Sequence, residues 1–234
     1  MSREHVISQS LFLSEYVDVS GYRWCKGGPK RIGLSSFTKK ALCRKHNNDL
    51  SPIDSSGAYA FDILRQQTTL TIERGKQPDR NYRKLTFSIS ATLLERWLLK
   101  TLINISYGGE HLIGPDSGKP GYPSAQLVNI VFGRKRFPPG NGLHIVSKSG
   151  LDIHFSDRVE MAPLVKDAKY IHGGFFKFFG VLMFLDLVPG GLTIPFDQIT
   201  TDTDWHFATA SRPFRQFRAT VGRRISHVVN FNWR

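Results

Sequence analysis

Apolar positions recur with two different periods along the chain, and the change of period divides it. Glu4 to Leu13 mixes Val6, Ile7, Leu11 and Phe12 with serines, the pattern of a short strand followed by a turn. Residues 16–24 alternate as a half-buried strand does, until Gly27, Gly28 and Pro29 break the chain. Ser51-Pro52-Ile53-Asp54 predicts a helix start. Ser51 can accept from an early backbone amide, Pro52 fits the first helical position, and Asp54 completes the spacing of a capping box. Ile53, Ala60, Phe61 and Leu64 mark the buried face of that helix. Residues 73–84 are polar and basic and predict an exposed loop. A second helix is expected from near Ser90, because Leu94, Trp97, Leu98, Leu102 and Ile105 recur at helical spacing. Gly108-Gly109 and the Gly/Pro-rich residues 114–123 then interrupt regular structure.

From Ala125 onward the pattern is that of strands. Leu127 to Phe132, Leu143 to Val146, Leu151 to Phe155, Phe175 to Leu187 and Phe217 to Val221 are the candidates. Pro139-Gly140-Asn141-Gly142 and Pro189-Gly190-Gly191 supply turns between them, and Gly173-Gly174 also reads as a turn. The expected fold class is therefore α+β, with short strands and helices first and a β-rich antiparallel region after them. Residues 114–123 read as a linker between a unit of residues 1–113 and another of residues 124–234. No repeat of fixed period is evident.

Charge changes the picture more than length does. The 234 residues include 32 Lys plus Arg against 19 acids, a formal net charge of +13. Such a field attracts phosphate polyanions and anionic membranes. The most apolar stretch, Phe175 to Val188, has 14 residues and contains Lys177 and Asp186. A bilayer span needs about 20 mostly apolar residues, so this stretch reads as a buried strand or hairpin. The N-terminus has no apolar segment flanked by a cleavage site. The expected location is the cytoplasm, and the expected partner is nucleic acid rather than a membrane. Cys25 and Cys43 can form at most one bridge.

The positive charge is concentrated in two places. Between Val19 and Asn48 stand Arg23, Lys26, Lys30, Arg31, Lys39, Lys40, Arg44 and Lys45, with no acid among them. A run of this kind is commonly a solvated face, but this one holds aromatics. After Asp204, the last acid, Arg212, Arg215, Arg218, Arg223, Arg224 and Arg234 interleave with Phe214, Phe217, Phe231 and Trp233. Guanidinium groups fork onto phosphate and aromatic faces stack on bases. On a strand, Phe214 and Phe217 suit a core equally well.

Two short segments carry candidate chemistry. Glu4-His5-Val6-Ile7 puts an acid beside a histidine at the start of the first strand, and Cys43-Arg44-Lys45-His46-Asn47 lies just ahead of the expected helix. Together they resemble the HNH (ββα-metal) endonucleases, over roughly residues 3–66. That family carries an acid-histidine pair on its first strand and a Cys-x-x-Cys-His or Cys-x-x-Cys-Asn cluster before its helix. Here His46 stands where a second cysteine often does, and Ser36, Thr38 or Lys39 occupies the region of the family's middle asparagine.

The resemblance implies an N-terminal ββα-metal unit and hydrolysis of phosphodiester bonds, chiefly in DNA. It implies His5 as general base, with Glu4 and Asn47 as ligands of a divalent cation and His46 as a further candidate ligand. Hard oxygen ligands suit Mg²⁺ or Mn²⁺. Such an ion screens the phosphate and stabilises the leaving oxygen, while an imidazole takes a proton from water. Cys43 and His46 have the spacing of half a zinc site, to which Cys25 can add a third ligand, with a fourth from elsewhere. The basic residues named above would contact the nucleic acid. The alternative is a nucleic-acid-binding or regulatory module that keeps the unit without hydrolysis. His5 taken alone also reads as a surface histidine, and Asn47 and Asn48 as turn-forming asparagines. His111, His144, His154, His172, His206 and His227 have no close ligand spacing and read as core or surface residues, although His144 and His154 could face each other across a hairpin.

Overall fold

The computed structural model describes residues 4–7, 11, 15–22, 24–40, 42–148, 159–188, 208–211, 216–221 and 223–233. Two packed helices lie at its centre. The first, α1 (Arg44–Gly75), has 32 residues, with extended Cys43 as its N-cap. It begins well before Ser51, so Pro52 lies inside the helix and withholds one amide from the ladder. Burial explains the earlier start. Leu50 and Ile53, each 2% exposed, already share one apolar stripe three residues apart. Asp54 is no capping residue either, because its carboxylate accepts from Lys100 Nζ at 2.6 Å. At the far end α1 continues through Glu73 to Gly75, so exposed turns begin only at Lys76.

The second helix, α2 (Ala91–Ser106), starts where its pattern predicts. Ser90 is the N-cap, and its hydroxyl accepts from Leu93 N. Leu94, Trp97, Leu98, Leu99 and Leu102 are at most 1% exposed. Gly57 of α1 allows the close approach, since a Cβ there would collide with the Trp97 ring. A third helix, α3 (Ala125–Val131), replaces the strand expected at Leu127 to Phe132. Its β-branched residues suggest a strand, yet the Ser124 side chain caps Leu127 N, and Leu127, Ile130 and Val131 are buried at helical spacing.

The strands, in chain order, are β1 (Glu4–His5), β2 (Tyr16–Val19), β3 (Lys30–Gly33), β4 (Thr38–Lys39), β5 (Leu85–Ser90), β6 (Leu112–Ile113), β7 (Gly142–Lys148), β8 (Val159–Lys166), β9 (Tyr170–Phe178), β10 (Val181–Asp186), β11 (Ala208–Ser211), β12 (Gln216–Val221) and β13 (Arg224–Asn232). The largest sheet has the order β11-β7-β10-β9-β6, with β8 also pairing β9. The β9–β10 hairpin is the apolar stretch noted in the sequence, and all six residues of β10 are buried. Gly173 and Gly174 lie within β9 rather than in a turn. Side chains there would meet the Phe184 ring and Leu102, so these glycines serve close packing. The expected strand at Leu151 to Phe155 and the turn at Gly190-Gly191 lie outside the described residues.

The fold is α+β. Most strand pairs are antiparallel, but β6 pairs parallel with β9, and β5 pairs parallel with β13. Both parallel ladders join strands from before residues 114–123 to strands after them. One apolar cluster includes Val6, Ile53, Trp97, Leu143, Phe176 and Phe231. Among the described residues, no helix is long and apolar enough to cross a membrane.

Candidate active site

Two short strands hold the N-terminal segment beside the head of α1. Glu4 pairs with Lys39 and His5 with Thr38, antiparallel, and Val6 N donates to Phe37 O at 2.9 Å. Val6 and Ile7 are buried at 1% and 8% exposure, which anchors this segment in the core. Four residues beyond Lys39 the chain reaches Cys43, the N-cap of α1. The order along this corner is strand, strand, helix, with the β2–β3 hairpin inserted between the two strands.

The last turn of α2 ties the three pieces together. Asp54 meets Lys100 and Gly57 meets Trp97, so residue numbers run in opposite directions along the two helices. Asn104, one turn beyond Lys100, is therefore level with Leu50, and Tyr107 is level with Asn47. Asn104 Nδ2 donates to His5 O in a long bond of 3.5 Å. Lys39 Nζ donates to Tyr107 O at 2.7 Å and Ile105 O at 3.1 Å. Strands β1 and β4 thus dock on α2 at the level of the first two turns of α1. No sequence pattern singles out Asn104 or predicts the inward turn of Lys39.

His5 is half-buried and Asn47 is half-buried in the first turn of α1. Among the described residues, neither the His5 ring nor the Asn47 carboxamide has a hydrogen-bond partner. Glu4 is described by its backbone alone. His46 is exposed, with Nδ1 3.4 Å from Cys43 Sγ and its ring edge-on to Phe132. Cys25 does not join them: its thiol donates to Val19 O at 3.6 Å, and both cysteines are free rather than bridged. Among the described residues, no three His, Cys, Asp or Glu side chains converge as a metal cluster, so the set Cys25, Cys43 and His46 is not assembled.

The basic residues divide by environment. Lys26, Lys30, Lys40, Arg44 and Lys45 are exposed. Arg44 and Lys45 open α1, whose first turn has no acid, so their charge adds to the positive end of the helix dipole. Arg31 instead grips Asp18 through two bonds of 3.0 and 3.2 Å, and it holds that carboxyl below its usual range. Lys39 is turned inward, and burial pushes its pKa down to about 8. Arg218, Arg223 and Arg224 are exposed on the β12–β13 hairpin, where Arg224 also reaches Asn81 Oδ1 at 3.1 Å. Arg23, Arg212 and Arg215 lie outside the described residues.

The remaining histidines fit core and surface roles. His144 is buried, with Nδ1 3.0 Å from Gly142 O. His227 is fully buried beside Ser226 Oγ at 3.1 Å, and burial, followed by the Arg74 charge, pushes its pKa down to about 4. His154 and His206 lie outside the described residues. Compared with known proteins, the chain matches no family model, no curated protein and no solved structure.

Proposed function

We propose that this chain is a metal-dependent, HNH-like endonuclease that hydrolyses phosphodiester bonds, in DNA by preference. One observation carries the reading: β1, bearing His5, pairs with the strand that leads into α1, bearing Asn47, and both strands dock on the same turn of α2. An amide oxygen and an imidazole with no hydrogen-bond partner among the described residues suit this chemistry. Glu4, Asn47 and His46 would hold Mg²⁺ or Mn²⁺, which would screen the phosphate charge and favour departure of the leaving oxygen. His5 accepts the proton of the attacking water. Arg44 and Lys45, at the positive end of α1, draw the phosphate towards the corner. The net charge of +13 supplies the long-range attraction.

A nucleic-acid-binding module without hydrolysis is the second reading. It is favoured by the absence, among the described residues, of three converging His, Cys, Asp or Glu side chains. Nicking of supercoiled plasmid separates the two. Nicked circles are expected with Mg²⁺ or Mn²⁺ and not with EDTA. His5→Ala is expected to lower the rate by about 10²-fold or more while DNA affinity persists. The nuclease reading ends if neither ion supports nicking, or if His5→Ala cuts as fast as the parent.

A further inference from the structure

Beside His5 lies a cleft of about 250 Å³, lined by Val6, Tyr22, Trp24, Ile32, Thr38 and Lys39 among others. Val6 is the chain neighbour of His5, and Thr38 is its cross-strand partner, so the cleft lies against the β1–β4 pair that carries the candidate base, although His5 itself does not line it. Its aromatic wall is built in two layers. Tyr22 is fixed on several sides: its hydroxyl donates to Ile105 O at 3.0 Å, Phe37 meets it edge-on, and Lys39 Nζ lies 5.2 Å from its ring centre. Trp24 stacks on Tyr22 with ring centres 5.4 Å apart and planes within 17°. Unlike Trp97, which is 1% exposed, Trp24 is 42% exposed. A core aromatic would be covered; this one continues a rigid stack out into solvent.

From this geometry we infer that the Tyr22–Trp24 stack is a platform for an unpaired nucleobase, and that the substrate class is single-stranded DNA. The inference rests on the nucleic-acid reading of the same corner. Flat, preorganised aromatic surface beside exposed cations is the composition of a single-strand site, where bases stack and the backbone follows positive charge. Lys26, Lys30 and Lys40 supply exposed cations on the inserted hairpin and just after β4. Ser36 and Thr38 also line the cleft, and the Ser36 hydroxyl donates to Gly33 O at 2.7 Å. In a duplex each base face is covered by its neighbours, so an intact helix cannot use this stack without extruding a base.

The test is fluorescence anisotropy on the full chain in EDTA, with labelled oligothymidylate and a duplex of the same length. The single strand is expected to bind more tightly. Trp24→Ala is expected to weaken single-strand binding about 5- to 100-fold and duplex binding by less than about twofold, with Trp24→Phe recovering most of the loss. Unchanged single-strand affinity in Trp24→Ala, or an equal loss on both DNAs, overturns the inference and assigns the exposed pair to another partner such as a protein. Because EDTA removes cutting from the assay, the two readings fail separately. Trp24-dependent single-strand binding, with no Mg²⁺- or Mn²⁺-dependent cutting of plasmid or of single-stranded circular DNA, leaves the platform and removes the nuclease. Metal-dependent nicking by the parent, together with unchanged single-strand affinity in Trp24→Ala, does the reverse.

Discussion

The corner formed by β1, β4 and the head of α1 handles its polar groups differently from the β7–β10–β9 sheet. In the sheet, Asp186 is 1% exposed; one carboxylate oxygen accepts from Val188 N at 3.0 Å, and the other is buried without a partner among the described residues. Burial raises its pKa to about 6, although the Val188 bond pulls the other way. At the corner, His46, Arg44 and Lys45 are exposed, and His5 and Asn47 are half-buried, with no hydrogen-bond partner among the described residues for the His5 ring or the Asn47 carboxamide. Titratable groups are common to both regions. What separates them is access: those of the sheet respond to folding, whereas those of the corner can meet a ligand. Shifted pKa values do not separate the two regions, since burial also pushes Lys39 of β4 down to about 8.

The strongest way to break this contrast is through the helix pair that aligns the corner. Lys100 is 6% exposed and Asp54 is 29% exposed at their side chains. Asp54→Ala is expected to cost roughly 1–3 kcal/mol, because the Lys100 ammonium loses a close carboxylate acceptor in a low-dielectric site. Thermal melting reads the loss. Hydrogen exchange sharpens it: protection at Val6 N should fall well before protection within β9 and β10. Equal loss everywhere would mean that the corner and the sheet are one cooperative unit.

A smaller effect comes from the buried titratable groups. Asp186 titrates near 6 in the folded chain, against an ordinary 3.8, so the folded state holds more protons in that window. Its contribution to stability therefore falls as pH rises from about 4 to 6. His227 behaves oppositely. With a folded pKa near 4 against 6.5, it leaves more protons on the unfolded chain, and its contribution rises with pH across the same window. The two slopes offset each other in the parent. Asp186→Asn should make the melting temperature climb more steeply between pH 4 and 6, and His227→Asn should make it flatten or fall. Parallel profiles for all three proteins would contradict this assignment.

The smallest effect concerns the exposed pair on β2 and β3. Asp18→Ala should leave the melting temperature unchanged, since exposed ion pairs contribute little. It releases Arg31, so the salt slope of DNA binding should steepen by at most about one phosphate contact. A large change in stability would show that the inserted hairpin is more than a solvated arm.

Periodicity revealed what packing alone decides. The Leu94–Ile105 pattern and the Ser90 cap locate α2, and the apolar run from Phe175 locates β9 and β10. It misread places where a local signal competes with burial. Ser51-Pro52 has the chemistry of a helix start, yet Leu50 draws α1 back to Arg44. Leu127 to Val131 is rich in β-branched residues, yet Ser124 and the buried face make it helical. Within the candidate site, the spacing of Cys43 and His46 foretells their contact, because three residues on a helix share a face. The roles of Asn104 and Lys39 were illegible, since both depend on which strand docks against the end of α2.

The single bond from Val6 N to Phe37 O closes the excursion between residues 7 and 36 at its base. Its two ends meet on adjacent strands of the corner, while Leu11, Val19 and Leu34 within it are buried and Tyr22 bonds to Ile105 O. Doubling such a loop costs only about 0.6 kcal/mol in closure entropy. Only the outward residues of the arm, such as Trp24, Lys26 and Lys30, are therefore exchangeable: a lineage, or an engineer, can replace them while the ribbon and helix beneath stay in register.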